Sequence, residues 1–97
     1  MANAHRPSIQ ELYPADFAHC YGCGKLNEQG LHLESAWEGD EVVARFTPQP
    51  QHISVPGYVY GGLIASLIDC HAMATAAASA ERLAGSKIQR EVRPRAA

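Results

Sequence analysis

The residues with the clearest capacity for chemistry lie in the run from Pro56 to Ala80, which reads PGYVYGGLIASLIDCHAMATAAASA. Its single carboxylate, Asp69, stands within an apolar stretch that has helical character. We therefore expect Asp69 to be buried. A desolvated carboxylate becomes a stronger base, which suits general-base or nucleophilic work near neutral pH. The alternative is structural, with Asp69 accepting hydrogen bonds from N–H groups of a neighbouring loop.

A glycine pair, Gly61-Gly62, precedes Asp69 by about two helical turns. Glycine has no Cβ, so a ligand can come close to its backbone. The first N–H groups of a helix lack intrahelical partners, and the helix dipole favours negative charge at that end. The pair is thus a candidate oxyanion site.

The run from Gly57 to Asp69 resembles the signature of hotdog-fold acyl-CoA thioesterases of the phenylacetate-type (PaaI-like) group. Their usual pattern is His-Gly-Gly, then a helical run of small and apolar residues, then an acidic residue. One position departs from it, because Tyr60 stands where the histidine is usual. Four sequence features further upstream also resemble those of that group. They are Cys20-Tyr-Gly-Cys-Gly, Asn27, Gly30-Leu31 and Ala44-Arg-Phe-Thr-Pro48.

The resemblance implies an α+β hotdog fold, in which an antiparallel sheet wraps around a long central helix. It implies hydrolysis of an acyl-CoA thioester without cofactor or metal, by a homodimer or a dimer of dimers. Asp69 would activate water or attack the carbonyl, opposite the N–H groups of Gly61 and Gly62 of a second copy. Tyr60 would position the carbonyl or water, since a phenol cannot reproduce the acid–base behaviour of imidazole. The expected substrate-binding residues are Ser54, Gly57 and Ser66.

Cys20 and Cys23 form a C-x-x-C pair in a glycine-rich loop. A structural zinc site needs four ligands, and the spacing of His19 and His32 fits no standard set. Zinc binding, a redox pair and a packed turn with reduced thiols all remain open. The packed turn is favoured, so we expect no metal.

Cys70 and His71 adjoin Asp69 and could suggest a nucleophilic dyad. Consecutive helical residues point about 100° apart and do not face each other. We therefore expect Cys70 to be a packing residue and His71 to be a core histidine that is hydrogen-bonded within the fold.

Two elements must position these residues, namely a hairpin over residues 31–47 and a central helix over residues 61–84. Apolar residues alternate on both sides of Gly39-Asp40, which suits a two-residue turn. Gly85 suits the end of the helix. The apolar face of the hairpin is expected to be Leu31, Leu33, Trp37, Val42, Ala44 and Phe46. The helix is expected to bury a bulky stripe of Leu63, Ile64, Leu67, Ile68 and His71. Asp69 is expected at the centre of an opposite face of small residues, namely Gly62, Ala65, Ser66, Ala72, Met73 and Ala76.

Composition describes one globular domain with a modest core: 97 residues, 46% hydrophobic and 19% charged, with a net charge of −2. Nothing in this charge suggests nucleic acid, although basic residues concentrate after Ala80, where a solvated surface is expected. The opening residues lack an apolar leader, and Asp69 and His71 interrupt the helix, so we expect a cytoplasmic protein without a membrane span.

The first 16 residues read as an N-terminal extension, with residues 1–6 disordered and Ser8 capping a short helical turn. The whole chain, residues 1–97, reads as a single partial hotdog domain, because the family supplies further strands after its central helix. We expect an N-terminal piece of a longer protein, or a fold completed by partner chains. Two alternatives to the enzyme remain: a non-catalytic acyl-CoA-binding or dimerisation hotdog module, and a metal-binding module around Cys20 and Cys23.

Overall fold

The computed structural model describes residues 7–84 of the chain. In that range two short 3₁₀ helices, Gln10–Leu12 and Ala15–Phe17, precede a β-hairpin and one long helix. Strand β1 is Ser35–Glu38, strand β2 is Glu41–Ala44 and helix α1 is Gly61–Ala84. The predicted α+β class is confirmed, and α1 has the predicted range. The expectations for residues 1–6, for Gly85 and for the basic tail beyond Ala84 lie outside the described residues.

The hairpin turns at Gly39-Asp40, as the sequence predicts. Gly39 has a φ of 66°, which the first position of a two-residue hairpin turn requires and which glycine adopts without strain. The strands are antiparallel, with Trp37 opposite Val42 and Ser35 opposite Ala44. Residues that lie opposite each other share a face of the sheet, so Trp37 and Val42 lie on the same face, as the alternation predicts.

The hairpin is shorter than the predicted range of 31–47, for a local reason. The N–H groups of Leu31 and Leu33 donate to Tyr21 O at 2.7 Å and to Gly22 O at 3.0 Å. Between them His32 has a φ of 55°, which an extended strand cannot contain. Residues 31–33 are therefore bound to the cysteine loop and not to β2.

The core lies where α1 meets this loop. Cys23, Leu33 and Cys70 are buried together, with Tyr13, Ala44, Phe46 and Leu67 packed around them. The buried residues of α1 are Leu63, Cys70, Ala74 and Ala78. The predicted stripe was wrong at Ile64 and Ile68, whose exposed fractions are 48% and 63%. Because α1 is apolar on most of its circumference, periodicity could not tell which side the rest of the chain covers.

The described part of the predicted extension, residues 7–16, belongs to the folded unit, which corrects its description as an extension. Ser8 Oγ accepts the N–H of Glu11 at 3.2 Å, and a Glu11 carboxylate oxygen accepts the N–H of Ser8 at 3.2 Å. This reciprocal pair is a capping box and explains the turn predicted at Ser8. The N–H of Ile9 donates to Ser35 O at 2.8 Å, which fixes the segment to β1.

Length and composition alone would allow α1 to cross a membrane, with a mean hydropathy of 1.4 in its most apolar window. The core helix of a water-soluble protein has the same properties, so this observation is weak evidence for a membrane span.

Candidate functional site

Four of the predicted site residues line two different cavities. The larger cavity, of about 670 Å³, is at the start of α1 and is lined in part by Tyr60, Gly62 and Ser66. Asp69 does not line it. The Asp69 carboxylate instead borders a cavity of about 210 Å³ with residues that include all three cysteines. A single copy of the chain therefore does not bring the predicted base and the predicted oxyanion site together.

The glycine turn has the free donors that an oxyanion site requires. The carbonyl of Tyr60 accepts the N–H groups of Leu63 at 3.1 Å and of Ile64 at 3.4 Å, which starts the helix. Among residues 7–84, nothing accepts the N–H of Gly61 or of Gly62. A Cβ at Gly61 would meet no atom within 4 Å, whereas one at Gly62 would overlap the Tyr60 ring.

The other residues expected to bind substrate separate into two groups. Ser66 lines the larger cavity, and its hydroxyl donates to Gly62 O at 2.9 Å. Ser54 and Gly57 are exposed and lie outside the lining of that cavity. They belong to a turn in which the N–H of Ser54 donates to Tyr58 O at 3.0 Å.

Asp69 is exposed in the single chain, so the expectation that it is buried was wrong. No hydrogen bond joins its carboxylate to any other residue in the described range, which contradicts the capping alternative. Asp69 follows Gly62 by seven residues, or about 10 Å along the helix axis. Two groups that act on one carbonyl must both come within about 3 Å of the reacting atoms.

Asp69 is the one charged residue on a long exposed stripe of α1. We call this stripe the open face. Its members recur at intervals of three and four residues, which places them on one side of the helix. All of them are exposed: Gly61, Ile64, Ala65, Ile68, Asp69, Ala72, Met73 and Ala76.

The second cavity contains a thiol cluster formed by Cys20, Cys23 and Cys70. The three sulfur atoms lie within 4.8 Å of one another, and Sγ of Cys20 is 3.7 Å from Sγ of Cys70. All three cysteines are free. The C-x-x-C pair was identified from the sequence, but Cys70 was assigned to packing alone. Cys70 is indeed buried, and its place in the cluster could not be read from a position 50 residues away.

Burial and hydrogen bonding set the pKa of each thiol. Burial raises the pKa of Cys20, but backbone hydrogen bonds from Cys23 and Gly22 and thiol contacts outweigh it, so the net pKa lies below the ordinary value. Burial and the charge of Cys20 raise the pKa of Cys23 to about 11. Burial, followed by the charge of Cys23, raises the pKa of Cys70. Cys20 is therefore the most acidic of the three thiols, and it is also the exposed one.

His71 is a structural histidine, as predicted. Its Nδ1 lies 2.9 Å from Oγ of Ser35, which is fully buried. Gln10 completes the group, because its Nε2 donates to Ser35 Oγ at 3.1 Å and its Oε1 accepts the Ser35 N–H at 2.7 Å. Gln10 and Ser35 were missed from the sequence, since polar residues in short turns and strands are usually exposed.

No protein-family model, curated protein or solved structure matches the chain. The resemblance to hotdog thioesterases therefore rests on the motif residues alone and remains a prediction.

Proposed function

We propose that this chain belongs to a hotdog-type acyl-CoA thioesterase whose active site forms between two copies. The observation that carries the proposal is the alignment of Gly61, Ala65 and Asp69 on the open face of α1. These residues are spaced by four, so they follow one another along one side of the helix. A two-fold axis near Ala65 would place Asp69 of each copy opposite Gly61 of the other.

The side chains on the open face are compatible with such a pairing. A two-fold interface brings the same patch of both copies together, so the residue at its centre meets its own equivalent. Ala65 at that point is small, and Gly61 has no side chain, which allows two helices to approach at about 8–10 Å between axes. Ile64, Ile68 and Met73 would supply the apolar area around this contact.

In the proposed reaction, the Asp69 carboxylate accepts a proton from a water molecule. The water oxygen attacks the thioester carbonyl carbon, and the carbonyl electron pair moves onto the oxygen. The N–H groups of Gly61 and Gly62 of the second copy stabilise this oxyanion. Its collapse breaks the carbon–sulfur bond, and the departing thiolate of coenzyme A takes the proton from Asp69. Direct attack by Asp69 would pass through an anhydride that water then hydrolyses.

The larger cavity is the proposed substrate site, because it begins at the same glycine turn. Tyr60 and Ser66 lie on its wall, and Phe46 adds apolar surface. Tyr60 is 56% exposed, so its phenol is available to orient the carbonyl or the water. Replacement of the usual histidine by Tyr60 does not remove the backbone N–H donors of Gly61 and Gly62.

The substitution Asp69→Asn tests the proposal, with turnover of a panel of acyl-CoA thioesters followed by release of free coenzyme A. We expect a loss of about 10²–10⁴-fold, the usual contribution of a positioned general base. Asp16→Asn, which changes an exposed acid in a 3₁₀ helix, is the matched control and should leave turnover unchanged. Equal turnover in Asp69→Asn and in the unaltered chain would reject the proposal.

The presence of Tyr60 in place of the usual histidine favours one second candidate function. In that function the chain is a non-catalytic acyl-CoA-binding module. Calorimetry separates the two functions. Saturable binding of acyl-CoA without turnover across the panel would favour the binding module, and robust hydrolysis would exclude it.

A further inference from the structure

We propose that Cys20, Cys23 and Cys70 form a binding site for one thiophilic metal ion of the Zn²⁺ class, with its fourth position open to the cavity beside Asp69. This site does not depend on the proposed thioesterase activity. All three cysteines of the chain contribute to it, two from the loop before the hairpin and one from α1.

The spacing of the sulfur atoms matches a metal site. Tetrahedral zinc holds sulfur at about 2.3 Å, which places two sulfur ligands about 3.8 Å apart. The distance from Cys20 Sγ to Cys70 Sγ is 3.7 Å, and all three sulfurs lie within 4.8 Å of one another. A disulfide would need about 2.05 Å, so the three sulfurs are not covalently bonded to one another and remain available as ligands.

The backbone of the loop also fits this role. A Cβ at Gly22 would overlap Sγ of Cys70, so the glycine permits the approach of α1 that brings Cys70 to the loop. The N–H of Gly24 donates to Cys20 O at 2.7 Å and closes the turn between the paired cysteines.

Packing alone does not explain the cluster. Buried cysteines commonly act as small apolar side chains, and this accounts for Cys23 and Cys70. Cys20, however, is exposed and lies at the cavity wall. The cavity also gives a fourth ligand room to enter, which is the arrangement of zinc sites that keep an open position. Three thiolates select soft and borderline ions over Mg²⁺ and Ca²⁺.

His19 and His32 are not part of this site. Among the described residues, the cluster of potential metal ligands contains the three cysteines and no histidine. The ring Nε2 of His32 lies 2.5 Å from Asn27 O, which occupies that nitrogen. Asp69 borders the cavity without joining the cluster, so the fourth ligand is expected to be water or a small molecule.

The test begins with the full chain, reduced and freed of metal by a chelator, then titrated with Co²⁺ as a spectroscopic probe and with Zn²⁺ as a competitor. We expect a sulfur-to-cobalt charge-transfer band that saturates at one Co²⁺ per chain and is abolished by Zn²⁺. Zn²⁺ should also protect all three thiols from a thiol reagent. Absence of a saturable band, or equal reactivity of the thiols with and without Zn²⁺, would overturn the proposal.

Variants then assign the ligands by the Zn²⁺ content of the purified protein. Cys70→Ser should reduce this content from about one ion per chain to near zero, whereas His19→Gln and Met73→Leu should retain it. Asp69→Asn should also retain it, which separates the metal site from the proposed catalytic base. Full Zn²⁺ content in Cys70→Ser, or its loss in Asp69→Asn, would contradict the three-thiolate assignment. If Cys70→Ser does not fold, the titration of the unaltered chain with Co²⁺ and Zn²⁺ still tests whether the metal site exists.

Discussion

At the scale of single residues, the contact between the cysteine loop and α1 depends on the absence of side-chain atoms at Gly22. Gly22 is buried, and a Cβ at this position would overlap Sγ of Cys70, whose own Cβ would be 3.7 Å away. The contact is therefore closer than any other residue type would permit. The same contact brings the third thiol into the cluster.

We predict that Gly22→Ala lowers the free energy of unfolding by about 1–3 kcal/mol, the usual effect of overpacking a well-filled core. The thiol cluster should widen at the same time, so that Cys70 reacts faster with a thiol reagent. Thermal or urea unfolding measures the first effect. Gly61→Ala is the matched control for stability, because a Cβ there meets nothing within 4 Å. Equal stability of both variants would contradict the tight contact.

At the scale of elements, the helix and the hairpin could be predicted from the sequence, because each is determined by residues in one continuous stretch. The glycine pair marks the start of α1, and Gly39-Asp40 marks the turn. The face of α1 that is covered was not predictable, since Ile64 and Cys70 are both apolar and only contacts from distant residues separate them. For the same reason the sequence did not reveal the buried pair of Gln10 and Ser35, because these residues lie 25 positions apart.

Glu38 at the end of β1 and Arg45, the residue after β2, form an exposed ion pair whose pH dependence can be measured. Arg45 binds both carboxylate oxygens of Glu38, at 2.6 Å and 3.3 Å. The hydrogen bond from Arg45 lowers the pKa of Glu38 below its ordinary value. A carboxyl group with a depressed pKa in the folded state stabilises the fold above its unfolded pKa. That contribution is lost as the pH falls through the folded pKa.

We predict that Arg45→Gln returns the pKa of Glu38 to the ordinary carboxyl range, as followed by NMR titration of the side chain. Arg45→Lys should return it only in part, because lysine keeps the charge but cannot bind both oxygens. The effect on unfolding should be small and confined to acidic pH, since the pair is exposed and solvent screens it. An unchanged Glu38 titration in Arg45→Gln would show that the ion pair does not persist in solution.

At the scale of the whole molecule, the open face of α1 and the separation of Gly61 from Asp69 have one common explanation. A helix with an apolar exposed side leaves that side without a packing partner. The two groups of the proposed site, Gly61 and Asp69, lie about 12 Å apart along this helix, too far to act on one carbonyl. In the proposed dimer, a second copy related by a two-fold axis would cover the open face and would complete the site. The proposed dimer is therefore a requirement of the proposed chemistry, and the two can be tested together.

Two inactive variants provide this test. Gly61→Pro removes the N–H donor while retaining a residue that is tolerated at the first position of a helix. Asp69→Asn removes the base. Each variant alone should be inactive, because every site of its homodimer lacks one group. In a mixed dimer, the intact Gly61 of the Asp69→Asn copy faces the intact Asp69 of the Gly61→Pro copy, which restores one complete site.

Co-expression of the two variants should therefore recover thioester hydrolysis to about a quarter of the unaltered level, since about half of the dimers are mixed and each contains one intact site of two. The doubly substituted chain, co-expressed with the unaltered one, is the matched control. Its mixed dimers contain no complete site, so only the unaltered homodimers, about a quarter of the dimers, should be active. Recovery in the first mixture requires that Gly61 and Asp69 act across an interface, because neither variant contains a complete site within one chain. Inactivity of the first mixture, or about half of the unaltered activity in the control, would show that Gly61 and Asp69 do not act across an interface and would overturn the proposal.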